Sequence, residues 1–107
     1  MSARPPAQCH DLAEVRVEID RIDNQLVEGI AERLGYVERA WQLKLELGQE
    51  ANVPWRNQQV IDKVRARAQE KGVPADLCEA LWRQMIGWFI QYEEEKLRHQ
   101  IEAKSSD

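Results

Sequence analysis

A long apolar stripe at helical spacing limits most strongly what this chain can fold into. Asp11 and Glu14 form the D-x-x-E pattern of a helix-capping box. Apolar side chains then recur every three or four positions, which is the period of an α-helix, at Leu12, Val15, Ile19, Ile22, Leu26, Ile30, Leu34, Val37, Trp41 and Leu45. No proline interrupts this pattern before Pro54, and Gly48 is a stop signal. The sequence therefore predicts one helix over residues 12–47, about 54 Å long at 1.5 Å per residue.

Two shorter helices are predicted after this one. Pro54 suits the first turn of a second helix, which Gly72 ends. Pro74 opens a third helix that we expect to reach about residue 102. The sequence shows no strand candidate and no internal repeat, so we predict an all-α fold of three helices, the first very long.

The length of the first helix predicts a dimer. A compact monomer of this size has a radius of gyration of about 13 Å, so one chain would leave much of the stripe exposed. Packing against an antiparallel copy of the same helix is the simplest way to bury the stripe. We therefore expect an antiparallel homodimer.

The length of the chain, 107 residues, predicts one domain, placed at residues 11–102. Residues 1–10, with two consecutive prolines, are predicted to form a flexible arm, and residues 103–107 a disordered tail.

The charge and the cysteines exclude several classes of function. A net charge of −4 lacks the basic field that nonspecific nucleic-acid binding needs. No stretch approaches the roughly 20 apolar residues of a membrane span, and the first residues lack an apolar signal core. Cys9 and Cys78 form neither a disulfide framework nor a metal-binding spacing. We expect a cytoplasmic protein with reduced thiols, which binds neither nucleic acid nor membranes.

Two cations share the predicted apolar face of the first helix. Arg33 and Lys44 are eleven residues apart, so they point within roughly 20° of each other, about 16.5 Å apart along the axis. Long side chains at that spacing can converge on one small anion. The alternative is that both reach water at the edge of the stripe.

A third cation on this helix can act only in another chain. Arg16 lies about 25 Å before Arg33 and roughly 100° around the axis, so it cannot reach the Arg33 site of its own chain. In an antiparallel dimer it can enter the site of the partner. The alternative is a surface arginine paired with Glu14, Glu18 or Asp20.

Two further charged residues stand out on the later helices. Arg56 lies in the first turn of the second helix, where a cation opposes the helix dipole, so binding is one explanation and ordinary surface placement the other. Glu93 follows Phe89 by one turn and lies near the apolar stripe of the third helix. Its neighbours Glu94, Glu95 and Lys96 fit a solvated face.

The order and spacing of these cations resemble the all-helical chorismate mutase family of intertwined dimers. The resemblance covers about residues 12–98 and rests on "LAEVR" and "RID", on Arg33 seventeen residues after Arg16, on Lys44 eleven further, and on Arg56 twelve beyond that. The segments "YVERA" and "MIGWFI" are more similar to the isochorismate-pyruvate lyase branch of the family.

The resemblance implies a role for each cation. Arg16 from the partner chain and Arg33 would bind the substrate carboxylates. Lys44 would bind a carboxylate and the ether oxygen, and Arg56 would complete the cationic wall.

The resemblance also places four non-cationic residues at the site. Glu93 falls where many members have a glutamine that donates to the ether oxygen, so it must carry a proton to do the same. Asn57 falls where many have a glutamate that orients the ring hydroxyl. Phe89 replaces a small polar residue, and Val53 is expected to contact the substrate.

The activity that the resemblance implies is the pericyclic rearrangement of chorismate to prephenate, with no cofactor and no metal. An alternative is isochorismate-pyruvate lyase, which gives salicylate and pyruvate, and an aminated chorismate analogue is a third possible substrate. A different class of function, a non-catalytic helical dimerisation module, also fits an all-α dimer.

Overall fold

The computed structural model describes residues 3–105, which form three α-helices and no strand. The helices are α1 (Leu12–Leu47), α2 (Pro54–Glu70) and α3 (Ala75–Ser105), and a 3₁₀ turn at Pro6–Gln8 precedes them. The predicted all-α class and the three helices are confirmed, whereas the 3₁₀ turn was not predicted. In this described part of the chain, no helix has both the length and the apolar character needed to cross a bilayer.

The two predicted terminal segments fall only partly within the described residues. Helix α3 continues to Ser105, so the predicted tail begins inside the helix, and residues 106 and 107 lie outside the description. Residues 1 and 2 of the predicted arm also lie outside it. The flexibility of the arm and the disorder of the tail stay predictions.

The chain divides after Tyr36 into two compact units. In the first unit, the Asp11 carboxylate accepts a hydrogen bond from the Glu14 amide at 2.8 Å, which confirms Asp11 as the helix cap. The Glu14 carboxylate pairs with the Arg4 guanidinium and accepts from the His10 amide at 2.8 Å. These two contacts lower the pKa of Glu14. Residues just before α1 are thereby attached to its first turn.

The apolar stripe of the first unit is exposed within the single chain. The exposed fractions of its residues up to Ile30 range from 36% for Val15 to 67% for Leu12. Large contiguous apolar surfaces of soluble proteins usually mark an interaction site.

Packing of α2 against α3 organises the second unit. Ile61 and Ala68 are buried on the face of α2 that the apolar spacing indicates. The Arg65 guanidinium on α2 reaches the Asp76 and Glu79 carboxylates on α3, at 2.9 Å each. Hydrogen bonds from Arg83 and Arg65 lower the pKa of Glu79. Apolar packing and an ionic contact at the edge of the interface therefore join the same two helices.

Glycines in the left-handed conformation end the first two helices. Gly48 has φ +66° and Gly72 has φ +70°. After α1, the Gln49 amide donates to the Lys44 carbonyl at 2.8 Å, and the Gly48 amide donates to the Leu45 carbonyl at 3.4 Å. This pair of bonds is a Schellman motif. It ties the backbone of Lys44 to the start of the loop that leads to α2.

We predict that Gly48→Ala lowers the free energy of unfolding by about 1 kcal/mol, because a Cβ is unfavourable at positive φ. No neighbouring atom lies within 4 Å of that Cβ, so the loss comes from the backbone conformation and not from a clash. Gly48→Asn should cost less, since asparagine tolerates this region. Urea denaturation at fixed protein concentration measures both variants. Equal losses would show that the backbone angle is not the cause.

Candidate active site

An ion pair between the half-buried Lys44 and the buried Glu93 joins α1 to α3 in the second unit. The Lys44 ammonium donates to the Glu93 carboxylate at 2.7 Å. The Lys44 side chain is 19% exposed and that of Glu93 is 10% exposed. Charged side chains this deeply buried occur almost only with a partner. The structure thus brings together two of the residues that the sequence placed in one site.

The loop between α1 and α2 supplies a second acceptor for the same ammonium. The Lys44 ammonium donates to the Ala51 carbonyl at 2.9 Å. A lysine ammonium carries three protons, so one remains for a ligand after these two bonds. The site therefore presents a single charged N–H beside a carboxylate.

An apolar cluster lies beside this ion pair. Trp41, Ala51 and Leu97 form a buried cluster, against which Leu45 and Tyr92 pack. Trp41 is one turn before Lys44 on α1, and Leu97 is one turn after Glu93 on α3. The periodicity that buries the apolar residues therefore also directs the two charged residues inward. By contrast, the other acidic residues in the run that begins at Glu93 are exposed, as the sequence predicted.

The first turn of α2 carries three of the predicted site residues. The Arg56 and Asn57 amides donate to the Val53 carbonyl at 3.0 and 3.1 Å. The Asn57 side-chain amide donates to Asn52 at 2.8 Å. The Arg56 side chain is exposed and donates to Gln59 at 2.5 Å. Arg56 thus has the exposed surface placement that the sequence left open, and its role in binding stays a prediction.

Phe89 lies one turn before Glu93 and is buried, 8% exposed. Its ring meets those of Trp88 and Tyr92 edge-to-face, with centroid distances of 5.2 and 6.3 Å. Edge-to-face contacts of this kind hold aromatic rings in a preferred orientation. Phe89 therefore presents a fixed apolar surface at a position where the resemblance implies a polar one.

An open cleft of about 1020 Å³ lies on the loop side of Lys44. Lys44, Leu45, Ala51, Leu97 and Ile101 line it together with polar residues of the loop and of α3. Neither Glu93 nor the first turn of α2 lines this cleft. The Lys44 side chain is thus accessible from a cleft that the sequence did not predict.

The other two predicted cations, Arg16 and Arg33, lie in the first unit. Arg16 is exposed and Arg33 is half-buried. Glu14 and Glu18 bond to Arg4 and Arg21. Among residues 3–105, no ion pair joins Arg16 to Glu14, Glu18 or Asp20, which was the alternative reading of Arg16. The substrate-binding roles of Arg16 and Arg33 stay predictions.

Sequence reasoning missed Ala51 and its carbonyl. One signal was present, because Ala51 is the single apolar residue in the polar segment "GQEAN" between α1 and α2. A small apolar residue in such a segment indicates a place where the loop touches the core. The acceptor itself is a backbone atom, which residue identity does not reveal.

Comparison with known proteins identifies the family of this chain. The family model of chorismate mutase type II matches residues 15–94. This chain belongs to the chorismate mutase type II family. The matched range includes Lys44, Glu93 and the first turn of α2.

Three relatives illustrate the range of this family. The isochorismate pyruvate lyase of Pseudomonas aeruginosa is 36% identical over 89 residues, which cover 81% of this chain and 85% of the relative. The chorismate mutase of Methanocaldococcus jannaschii is 35% identical over 75 residues, 70% of this chain and 76% of the relative. The T-protein of Enterobacter agglomerans is 32% identical over 76 residues, 71% of this chain and 20% of that protein.

We predict that Glu93→Leu lowers the free energy of unfolding by about 2 kcal/mol, because it leaves the Lys44 ammonium buried without its charged acceptor. Glu93→Gln should cost less, since the amide oxygen still accepts from Lys44. Combining Glu93→Leu with Lys44→Met should recover part of the loss, because no buried charge remains. Urea denaturation at one protein concentration tests all three variants. If Glu93→Leu were as stable as the wild type, the ion pair would not stabilise the fold.

Proposed function

We propose that this protein is a chorismate mutase, which converts chorismate to prephenate. One observation carries the proposal: in a chain of this family, the half-buried Lys44 ammonium is held in place with one N–H left for a ligand. Chorismate is a small dianion with an enolpyruvyl ether, so it needs cations for its carboxylates and a donor for its ether oxygen. We assign residues of this chain to both tasks.

The reaction needs a defined substrate conformation more than it needs reactive groups. The ether C–O bond breaks while a new C–C bond forms, so no nucleophile and no cofactor is required. The protein must hold the enolpyruvyl side chain over the ring, which is an orientation effect. We assign this task to Arg33, to Arg56 and to Arg16 of a second copy, since guanidinium groups bind carboxylates through two parallel hydrogen bonds.

Lys44 has the electrostatic task. Negative charge grows on the ether oxygen as its bond to the ring breaks, and a prepositioned cation stabilises that charge. Because Ala51 and Glu93 already hold the ammonium, Lys44 does not need to reorganise during the reaction. One such donor typically changes the rate by a factor of about 100 to 1,000.

Glu93 and Asn57 have supporting tasks in the proposed site. Glu93 holds the Lys44 ammonium through its carboxylate. Direct donation from Glu93 to the ether oxygen requires that the carboxyl group carry a proton. Asn57 lies half-buried, and we assign it the ring hydroxyl, to which a neutral amide binds less strongly than a carboxylate would.

The proposed enzyme is a homodimer. The apolar stripe on the part of α1 that lies in the first unit is exposed in the single chain. The same stripe of a second copy is equally apolar and can bury it. The cleft beside Lys44 leaves room for a side chain of another copy to approach the ammonium. We assign that place to Arg16, which is exposed in the single chain.

A second candidate function is isochorismate pyruvate lyase. The specific observation in its favour is the relative of that name, which aligns with 81% of this chain. The lyase reaction breaks the same kind of ether C–O bond while a hydrogen moves from the ring to the enolpyruvyl carbon. Its electrostatic demands on Lys44 are therefore the same, and only product analysis separates the two.

We predict that the purified protein forms prephenate from chorismate and that Lys44→Ala lowers kcat/KM at least about a hundredfold. The matched control is Lys63→Ala, which removes an exposed lysine of α2. Parallel assays with chorismate and isochorismate identify the products. Salicylate and pyruvate from isochorismate, with little prephenate from chorismate, would establish the lyase instead. Full activity of Lys44→Ala would refute the site for both reactions.

We also predict that two inactive variants complement each other. In a random mixture of Arg16→Ala and Lys44→Ala chains, half of the dimers are mixed, and each mixed dimer has one site with both native residues if Arg16 acts in the partner. About a quarter of the wild-type activity should therefore return. Co-refolding the two variants tests this, with each variant refolded alone as the control. If Arg16 served its own chain, no site would be restored.

A further inference from the structure

Two hydrogen bonds fix the orientation of the Lys44 ammonium as well as its position. An isolated lysine ammonium is a flexible point charge, and its three N–H groups rotate freely. Here one N–H points at the Ala51 carbonyl, 2.9 Å away, and another at the Glu93 carboxylate, 2.7 Å away. Because the nitrogen is tetrahedral, two occupied directions determine the third. The remaining N–H is therefore aimed, provided that both acceptors stay in place.

Glu93 is held by its helix, whereas the Ala51 carbonyl lies on a loop. Gly48, Gln49, Glu50 and Asn52 are all exposed, and Ala51 alone in this segment is buried, 6% exposed. Its methyl group belongs to the cluster with Trp41 and Leu97. The methyl group is thus the contact that attaches the middle of the loop to the core.

The register of the two helices links this apolar contact to the ion pair. Trp41 and Lys44 are three residues apart on α1, and Glu93 and Leu97 are four residues apart on α3, so each pair shares one helix face. Ala51 belongs to one buried cluster with the apolar member of each pair, and its carbonyl bonds to Lys44. A shift of the methyl group therefore moves the carbonyl relative to the ammonium.

We propose that Ala51 is a positioning residue for the reaction: its buried methyl group fixes its carbonyl, which with Glu93 aims the third N–H of Lys44 at the ligand. This inference rests on the proposed function, since the aimed N–H serves the ether oxygen of the substrate. Ala51 itself does not contact the substrate. Its side chain acts on the rate only through Lys44.

The test compares two glycine substitutions in the same loop. Ala51→Gly removes the methyl group and keeps the carbonyl, and Gln49→Gly makes an equally flexible loop at an exposed position. We expect Ala51→Gly to lower kcat about tenfold with KM changed less than about twofold, because orientation is lost and carboxylate binding is kept. Gln49→Gly should keep the wild-type kcat. Equal losses of kcat in the two variants, or no loss in Ala51→Gly, would overturn the proposal.

A spectroscopic measurement tests the same step without any turnover. An ammonium group with two fixed acceptors exchanges its protons slowly, so in ¹⁵N-labelled protein Lys44 should give a resolved side-chain ammonium signal. Lys44→Arg assigns that signal among the five lysines of the chain. We expect the signal to broaden or vanish in Ala51→Gly and to persist in Gln49→Gly. An unchanged signal in Ala51→Gly would overturn the proposal.

The two measurements also separate this inference from the proposed function. If the wild-type protein turned over neither chorismate nor isochorismate, the function would fail, while the ammonium signal would still report whether Ala51 orders Lys44. A second variant, Ala51→Val, is expected to force the loop away from Trp41 and Leu97, with the same loss of signal and of kcat. A lost signal with an unchanged kcat, in either Ala51 variant, would refute the catalytic role of the positioning.

Discussion

The charged site of the second unit depends on one ion pair, between the half-buried Lys44 and the buried Glu93. Removing two charges from water is unfavourable unless they are paired and hydrogen-bonded, so this pair restricts how the end of α1 and the middle of α3 can meet. The loop between α1 and α2 must then bring a carbonyl to the same ammonium. The same arrangement also brings together the apolar cluster of Trp41, Ala51 and Leu97. Trp41 lies on the same helix face as Lys44, and Leu97 lies on the same helix face as Glu93. The contacts that hold the end of α1 against α3 therefore also position the charged side chains of the site.

The helices were predictable from the sequence because local signals determine their ends. The structure confirms α1 at Leu12–Leu47, and α2 begins at Pro54 as expected. Proline and glycine act through the backbone of their own neighbourhood, so no knowledge of distant contacts is needed. The end of α3 was predicted less well, since no glycine or proline follows it and the helix continues to Ser105.

The site was less predictable, because it depends on contacts between distant parts of the chain. Spacing along one helix gives the direction of Lys44 but not the identity of its neighbours. That Glu93 differs from Glu94 and Glu95 followed from its place near an apolar face, and its burial agrees. The direct bond from Lys44 to Glu93 needs the packing of α3, and the bond to Ala51 needs the path of a loop. Membership in the chorismate mutase type II family narrows the range of reactions. At Glu93, Asn57 and Phe89, this chain differs from the pattern that the resemblance implies.

The Schellman motif at Gly48 has a consequence for how this protein can diverge. Surface loops usually accept insertions and deletions, because little depends on their path. Here the carbonyl of Lys44 bonds to Gln49 and its ammonium bonds to Ala51, so the same residue is tied twice within the next seven positions. One residue more or fewer between Gly48 and Ala51 would move the second acceptor by up to about 3.5 Å and break that bond. Among proteins that keep this arrangement, the number of residues in this short segment should therefore vary less than their identity, with the small apolar residue at the place of Ala51 as the exception.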